Sequence, residues 1–135
     1  MISLARNPAE LRQLSKHPDP HVRHAVLEKF AENPQTGLSV IVPHLSVPQD
    51  QEKAKELIKS MFDKHGAALI EPQLIHELNL AALRDIPATL ALLEVLRDKG
   101  TKTSLLTLSA LTKHKAPQVR QAAAEAMAAI KKRGG

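Results

Sequence analysis

Three histidines near the N-terminus have a spacing that could serve a metal ion. His17, His21 and His24 are separated by four and three residues, so a helix would bring the last two imidazoles onto one face. The chain has no Cys, no carboxylate stands at a fixed ligand spacing, and His17 precedes two prolines outside the helix. We therefore expect these histidines to cap turns or face water, and the sequence implies no metal and no cofactor.

Other residues that could carry catalysis also lack the required partners. His76 and Glu77 are not followed by the second histidine of the zinc-protease helix motif. The hydroxyl groups that accompany His114 are those of Ser104, Ser109 and Thr112. Nothing in the sequence indicates a strained nucleophile turn or an oxyanion hole around them, and helix capping accounts for such hydroxyls. We expect a protein that is not an enzyme.

Charge and aromatic content limit the classes of partner. The formal net charge is +5 over 135 residues, and the tail Lys131-Lys132-Arg133 supplies three of those positive charges. A basic protein binds nucleic acid when its charge clusters on one face. Phe30 and Phe62 are the only aromatic side chains, so bases would have little to stack on. No apolar run reaches the length of a membrane span, and we expect a cytoplasmic protein without a membrane partner.

The chain nearly repeats one segment of its own sequence. Leu14 to Phe30 reads LSKHPDPHVRHAVLEKF, and Leu111 to Met127, 97 residues later, reads LTKHKAPQVRQAAAEAM. A proline-containing turn followed by an apolar helical stripe is thus used twice, which indicates a helical repeat architecture. The motif residues of the two copies are Pro20, Val22, Arg23, Pro117, Val119 and Arg120. Arginine in this position can bridge a carboxylate or a helix end in the adjoining repeat.

Apolar spacings of three and four predict eight helices and no strands. The predicted helices lie at about Pro8 to Ser15, Pro20 to Asn33, Leu38 to Leu45, Asp50 to Gly66, Glu71 to Asp85, Pro87 to Gly100, Thr103 or Ser104 to Leu111, and Pro117 to Lys132. Asp19 and Asp50 are expected to cap their helices, and Gly66 to end one with a left-handed residue. Taken in pairs, the helices give one domain over 1–135 with repeats at about 7–33, 37–66, 71–100 and 103–133.

The segments HPDPHVRHAVLE and HKAPQVRQAAAE resemble HEAT-like repeats, specifically the short bacterial variety first associated with phycobilin lyases. The pairs Asn7-Pro8 and Asn33-Pro34 give the N-terminal part a similarity to the leucine-rich repeat variant. The resemblance implies an all-α, right-handed α-solenoid (superhelix) of about four two-helix HEAT-like repeats. It is compatible with lyase, scaffold and nucleic-acid functions alike.

A stack of such repeats lines up the second helices into a ridge. The ridge residues that we expect to bind a partner are His21, His24, Glu28, Gln118, Gln121 and Glu125. Their mixture of neutral, acidic and amide groups suits a protein or peptide better than a polyanion. The expected function is therefore a protein-interaction or scaffold module, and the alternative is a HEAT-like solenoid that contacts a phosphate backbone through Lys and Arg.

Overall fold

A computed structural model of the protein describes residues 13–134, and this part of the chain is all helical, with no strand. Its α-helices are α1 (Pro20–Phe30), α2 (Gly37–Ile41), α3 (Gln51–His65), α4 (Ala67–Ala81), α5 (Ile86–Lys99), α6 (Leu105–Leu111) and α7 (Pro117–Lys132). Two 3-10 helices, Val42–Ser46 and Lys102–Ser104, follow α2 and precede α6. The all-α prediction is confirmed for these residues. The predicted first helix lies mainly outside them.

The helices pack in two sets. Helices α1, α3, α5 and α7 contact one another in chain order, α1 with α3, α3 with α5, and α5 with α7. On the other side α2 contacts α4, and α4 contacts the 3-10 helix that leads into α6. The second helix of each predicted pair therefore lies beside the second helix of the next.

Within the described residues, no helix is long and apolar enough to cross a membrane.

Helix starts follow the capping residues in the sequence. Asp19 accepts a hydrogen bond from the backbone N–H of His21 at 2.9 Å, and Pro20 occupies the first turn, where its missing N–H costs nothing. Asp85 caps α5 in the same way through the N–H of Ala88 at 3.0 Å. Asp50 precedes α3 at the corresponding place, but its side chain makes no capping hydrogen bond. The predicted capping role of Asp50 is wrong, because its carboxylate is bound elsewhere.

Two predicted helices have different bounds in the structure. The helix expected to open at Glu71-Pro72 begins at Ala67 and contains Pro72 in its interior. Pro72 removes only one early hydrogen bond there, and the extra turn buries Ile70 completely. The helix expected from Leu38 to Leu45 is split, since Pro43 lies at the start of a 3-10 segment.

One glycine makes a very short connection possible. Gly66 alone separates α3 from α4, with φ 92° and ψ 144°. L-residues rarely adopt this backbone conformation. The positive φ agrees with the prediction that Gly66 ends the helix.

The main core is a continuous apolar cluster that extends from Leu27 of α1 to Ile130 of α7. Val119 is fully buried, as are Leu27, Ile58 and Leu92. Val22, the counterpart of Val119 in the first copy of the motif, is only half-buried. Its neighbours Val26 and Phe30 form a small separate cluster with Leu14 and Val40. The apolar stripe of α7 therefore lies in the main core, while α1 divides its buried residues between two clusters.

Candidate functional site

The two copies of the motif hold their turns with the same hydrogen bonds. Nη1 of Arg23 donates to the carbonyls of His17 and Pro18 at 2.8 and 3.0 Å. Nη1 of Arg120 donates to His114 and Lys115 at 2.8 and 3.1 Å. Each arginine thus reaches back to carbonyls five and six residues earlier, so that the similarity in sequence is also a similarity in geometry.

Each turn also contains a histidine with a defined role. Nδ1 of His17 accepts the N–H of Asp19, and Nδ1 of His114 accepts the N–H of Ala116, both at 3.0 Å. Because Nδ1 of His114 is an acceptor, its proton lies on Nε2, which donates to the carbonyl of Ala82 at 2.8 Å. His114 therefore joins its own turn to the end of α4.

Only the first copy carries a buried carboxylate partner. Nε and Nη2 of Arg23 donate to the two oxygens of Asp50 at 2.8 and 3.1 Å. Nε2 of His24 and Nδ1 of His44 lie 2.9 and 2.8 Å from the same carboxylate. We call Arg23, His24, His44 and Asp50 the Asp50 cluster. It joins α1, α3 and the 3-10 helix after α2 through one fully buried side chain.

The electrostatics of the Asp50 cluster favour an ionised carboxylate. Burial alone would raise the pKa of Asp50, but the hydrogen bonds from Arg23, His44 and His24 lower it to about 2. Four donors fill the roughly four lone-pair sites of the carboxylate. Because ionised Asp50 can only accept, the proton of His44 that faces it lies on Nδ1.

A cavity opens beside this cluster. Its volume is about 720 Å³, which is in the range of small-molecule sites. Among the described residues that line it, Lys16, His44 and Gln49 are polar. Val40 and Val47 are apolar lining residues. We call it the N-terminal cavity; it brings together a cation, an imidazole and an apolar wall.

The predicted ridge residues of α1 have three different environments. The side chain of His21 is 97% exposed, and its Nδ1 lies 3.2 Å from Asp19. His24 is half-buried because it bonds to Asp50. Glu28 pairs with Lys53 of α3 at 3.4 Å. His21 is thus the α1 ridge residue most accessible to a partner.

The predicted ridge residues of α7 all lie at the surface. Gln118, Gln121 and Glu125 are exposed, and Nε2 of Gln121 donates to Glu125 at 3.3 Å. Since α3 and α5 lie between α1 and α7 in the layer, the two groups of ridge residues occupy its opposite ends. The structure does not bring them together into one compact site.

Ion pairs connect neighbouring helices across the surface between the two ends of the layer. The pairs that connect neighbouring helices are Glu28–Lys53, Lys55–Glu94, Lys59–Glu94, Lys59–Asp98 and Asp63–Lys99. Burial opposes the charge of Lys55, yet its contacts with Glu94 and Glu52 raise its pKa. Lys55 is buried and bridges α3 and α5.

Exposed large apolar side chains lie on the other elements. Within the described part of the chain they are Leu69 and Leu80 of α4, Leu83 in the following turn, and Leu106 of α6. The most exposed are Leu106 at 85% and Leu83 at 80%. The predicted ridge residues include none of these large apolar side chains.

The comparisons find no matching family model, no similar curated protein and no similar solved structure.

The histidines first considered as metal ligands have separate partners. His17 bonds to its own turn, His21 lies against Asp19, and His24 bonds to Asp50. Across residues 13–134, no group of three His, Cys, Asp or Glu side chains is placed to hold a metal ion.

The sequence interpretation missed His44, Asp50 and Lys16. A signal for Asp50 does exist, since it stands just before a second helix, as Asp19 and Asp85 do. Arg23 lies against Asp50, the residue before α3. No comparable signal points to His44, because it belongs to the irregular segment after Pro43.

Proposed function

We propose that this chain is an α-solenoid of short HEAT-like repeats and acts as a non-enzymatic module that binds a protein or peptide. The observation that carries the proposal is the ordered contact of α1, α3, α5 and α7, each with the next. Repeat proteins present such a layer of helices as an extended binding surface. The ridge residues on α1 and α7 lie at its two ends.

The charge pattern of this layer favours a protein over a polyanion. Lys53, Lys55 and Lys59 are each paired with a carboxylate of a neighbouring helix. A paired lysine has less attraction for a phosphate, because the adjacent carboxylate repels the anion. A surface of balanced charge is compatible with the polar rim of a protein interface.

Site-specific photo-crosslinking tests which face binds. A photoreactive amino acid is placed at Gln121 or His21, since both side chains are exposed. We expect one protein adduct of the same mass from both positions in a cell extract. The matched control carries the same amino acid at Leu106, on the other set of helices. Adducts from Leu106 alone would refute the ridge and assign binding to the opposite face.

A nucleic-acid function is the second candidate, because one edge carries unpaired cations. The hydrogen bond from His114 to Ala82 brings the turn of Lys113 and Lys115 against the end of α4, near Arg84. Among the residues that the structure describes, these three cations have no ion pair. Such a patch could contact phosphates.

Fluorescence anisotropy of a labelled DNA duplex and single strand tests this candidate. If the patch binds nucleic acid, changing Lys113 and Lys115 to Glu abolishes binding, and the wild-type affinity falls steeply with salt. Lys53→Glu is the control, since Lys53 lies in the paired layer. Equal loss from the control would indicate nonspecific attraction and refute a defined phosphate site.

A further inference from the structure

We propose that the N-terminal cavity binds a small organic carboxylate with a short apolar body, held by Lys16 and Nε2 of His44 at its anionic end and by Val40, Pro43 and Val47 along its apolar part. This ligand site is separate from the protein-binding ridge.

The open polar atom of the cavity is Nε2 of His44. The residue is only 8% exposed, and its other ring nitrogen donates to Asp50. Every buried side-chain nitrogen or oxygen of residues 13–134 has a hydrogen-bond partner. Nε2 makes no hydrogen bond with the described residues, so it is not fully enclosed by them, and His44 is among the residues that line the cavity. It can therefore meet a ligand without breaking an existing contact.

Arg23 and Asp50 have no donor or acceptor left to offer. The five N–H groups of Arg23 go to Asp50, Gln49, His17 and Pro18. The carboxylate of Asp50 accepts four hydrogen bonds, two from Arg23 and one each from His24 and His44. The charges of this pair cancel, and the cluster acts as a rigid support that fixes the orientation of the His44 ring.

The remaining charge at the cavity is the ammonium group of Lys16. This residue lines the cavity and is exposed, and it makes no ion pair within the described residues. The local field is thus positive and attracts an anion.

One ammonium group and one imidazole suit a carboxylate better than a phosphate group. A phosphate dianion is usually bound by several cations or by a cluster of backbone N–H groups. A carboxylate needs fewer donors: Lys16 can donate to one oxygen, and the protonated form of His44 can donate through Nε2 to the other. The apolar residues Val40, Pro43 and Val47 then favour an alkyl body over water.

Titration of the full chain with hexanoate tests the proposal. Isothermal calorimetry and the imidazole nitrogen signals of His44 provide two independent readouts. We expect saturable binding with a dissociation constant of about a millimolar, as fits so small a ligand, and a shift of Nε2 larger than that of any other histidine. Hexanamide, which has the same body without the charge, should bind at least about fivefold more weakly.

The repeated sequence supplies a matched pair of variants. Lys16→Gln should weaken hexanoate binding about fivefold, while Lys113→Gln, at the corresponding place in the second copy, should leave it unchanged. Both residues are exposed, so both variants should fold. Equal affinity for hexanamide, equal losses from the two variants, or no saturable binding would each overturn the proposal.

Discussion

Replacing the two motif arginines by methionine should have very different effects on stability. Arg23 and Arg120 make the same contacts with their own turns, but only Arg23 binds a buried carboxylate. Arg23→Met and Arg120→Met therefore differ in the loss of the contacts with Asp50 and Gln49. Arg120→Met serves as the control, because it removes the same contacts with the turn within the same protein.

The expected sizes follow from burial. Breaking a buried ion pair by removing one partner costs about 3–5 kcal/mol. His24 and His44 still donate to Asp50 after Arg23→Met, so we expect the lower end, about 3 kcal/mol. Arg120 is exposed and loses two hydrogen bonds to carbonyls, for which we expect about 1 kcal/mol. Arg23→Lys should lie in between, because an ammonium group cannot reproduce the planar fork of guanidinium.

The assay is urea unfolding followed by far-ultraviolet circular dichroism, since the chain has no Trp or Tyr to report by fluorescence. The proposed solenoid would be able to unfold in steps, so hydrogen exchange of the α1 and α3 amides should accompany the urea measurement. Combining Arg23→Met with Asp50→Asn should give a coupling energy above about 1 kcal/mol. Equal losses for Arg23→Met and Arg120→Met would refute the energetic role of the carboxylate.

Three further perturbations have defined outcomes. Val119→Asp should unfold the C-terminal repeat, because Val119 is fully buried; an unchanged thermal melt would contradict its place in the core. Gly66→Ala should cost about 1–2 kcal/mol in urea unfolding because φ is 92°, whereas Gly134→Ala, with φ 85° near the terminus, should cost nothing measurable. Ionised Asp50 has a pKa of about 2, below its ordinary 3.8, so its contribution is complete above about pH 4 and lost as the pH falls towards 2. Unfolding curves across that range should show a smaller loss for Asp50→Asn than for the wild type.

Local sequence rules predicted the regular parts of the fold. Pro117 opens α7 and Lys132 ends it, as the apolar spacing indicates. Rules of this kind work where one residue decides the local backbone, as proline does at a helix start. They failed at Pro72, where the burial of Ile70 outweighs the loss of one hydrogen bond. Propensity is a weak guide wherever packing between helices competes with it.

Long-range polar contacts were the harder part to predict. Glu71 was expected to begin a helix, but it lies inside α4, is buried and accepts hydrogen bonds from Thr101 and Ser104 in the segment between α5 and α6. The expected capping role of Ser104 is wrong for this reason. Such pairs join positions about thirty residues apart, and the sequence offers no local signal for them. Asp50 is the exception, since its position before a second helix repeats that of Asp19.

The differences between the two copies of the motif follow their neighbours in space. His24 of the first copy is replaced by Gln121 in the second. His24 lies against Asp50 of the following repeat, whereas Gln121 has no such carboxylate and donates to Glu125 on its own helix. The shared residues hold the turn, while the exchanged residues depend on what lies beside it. The chemistry particular to this protein is therefore best sought where the copies diverge, around the Asp50 cluster and its cavity.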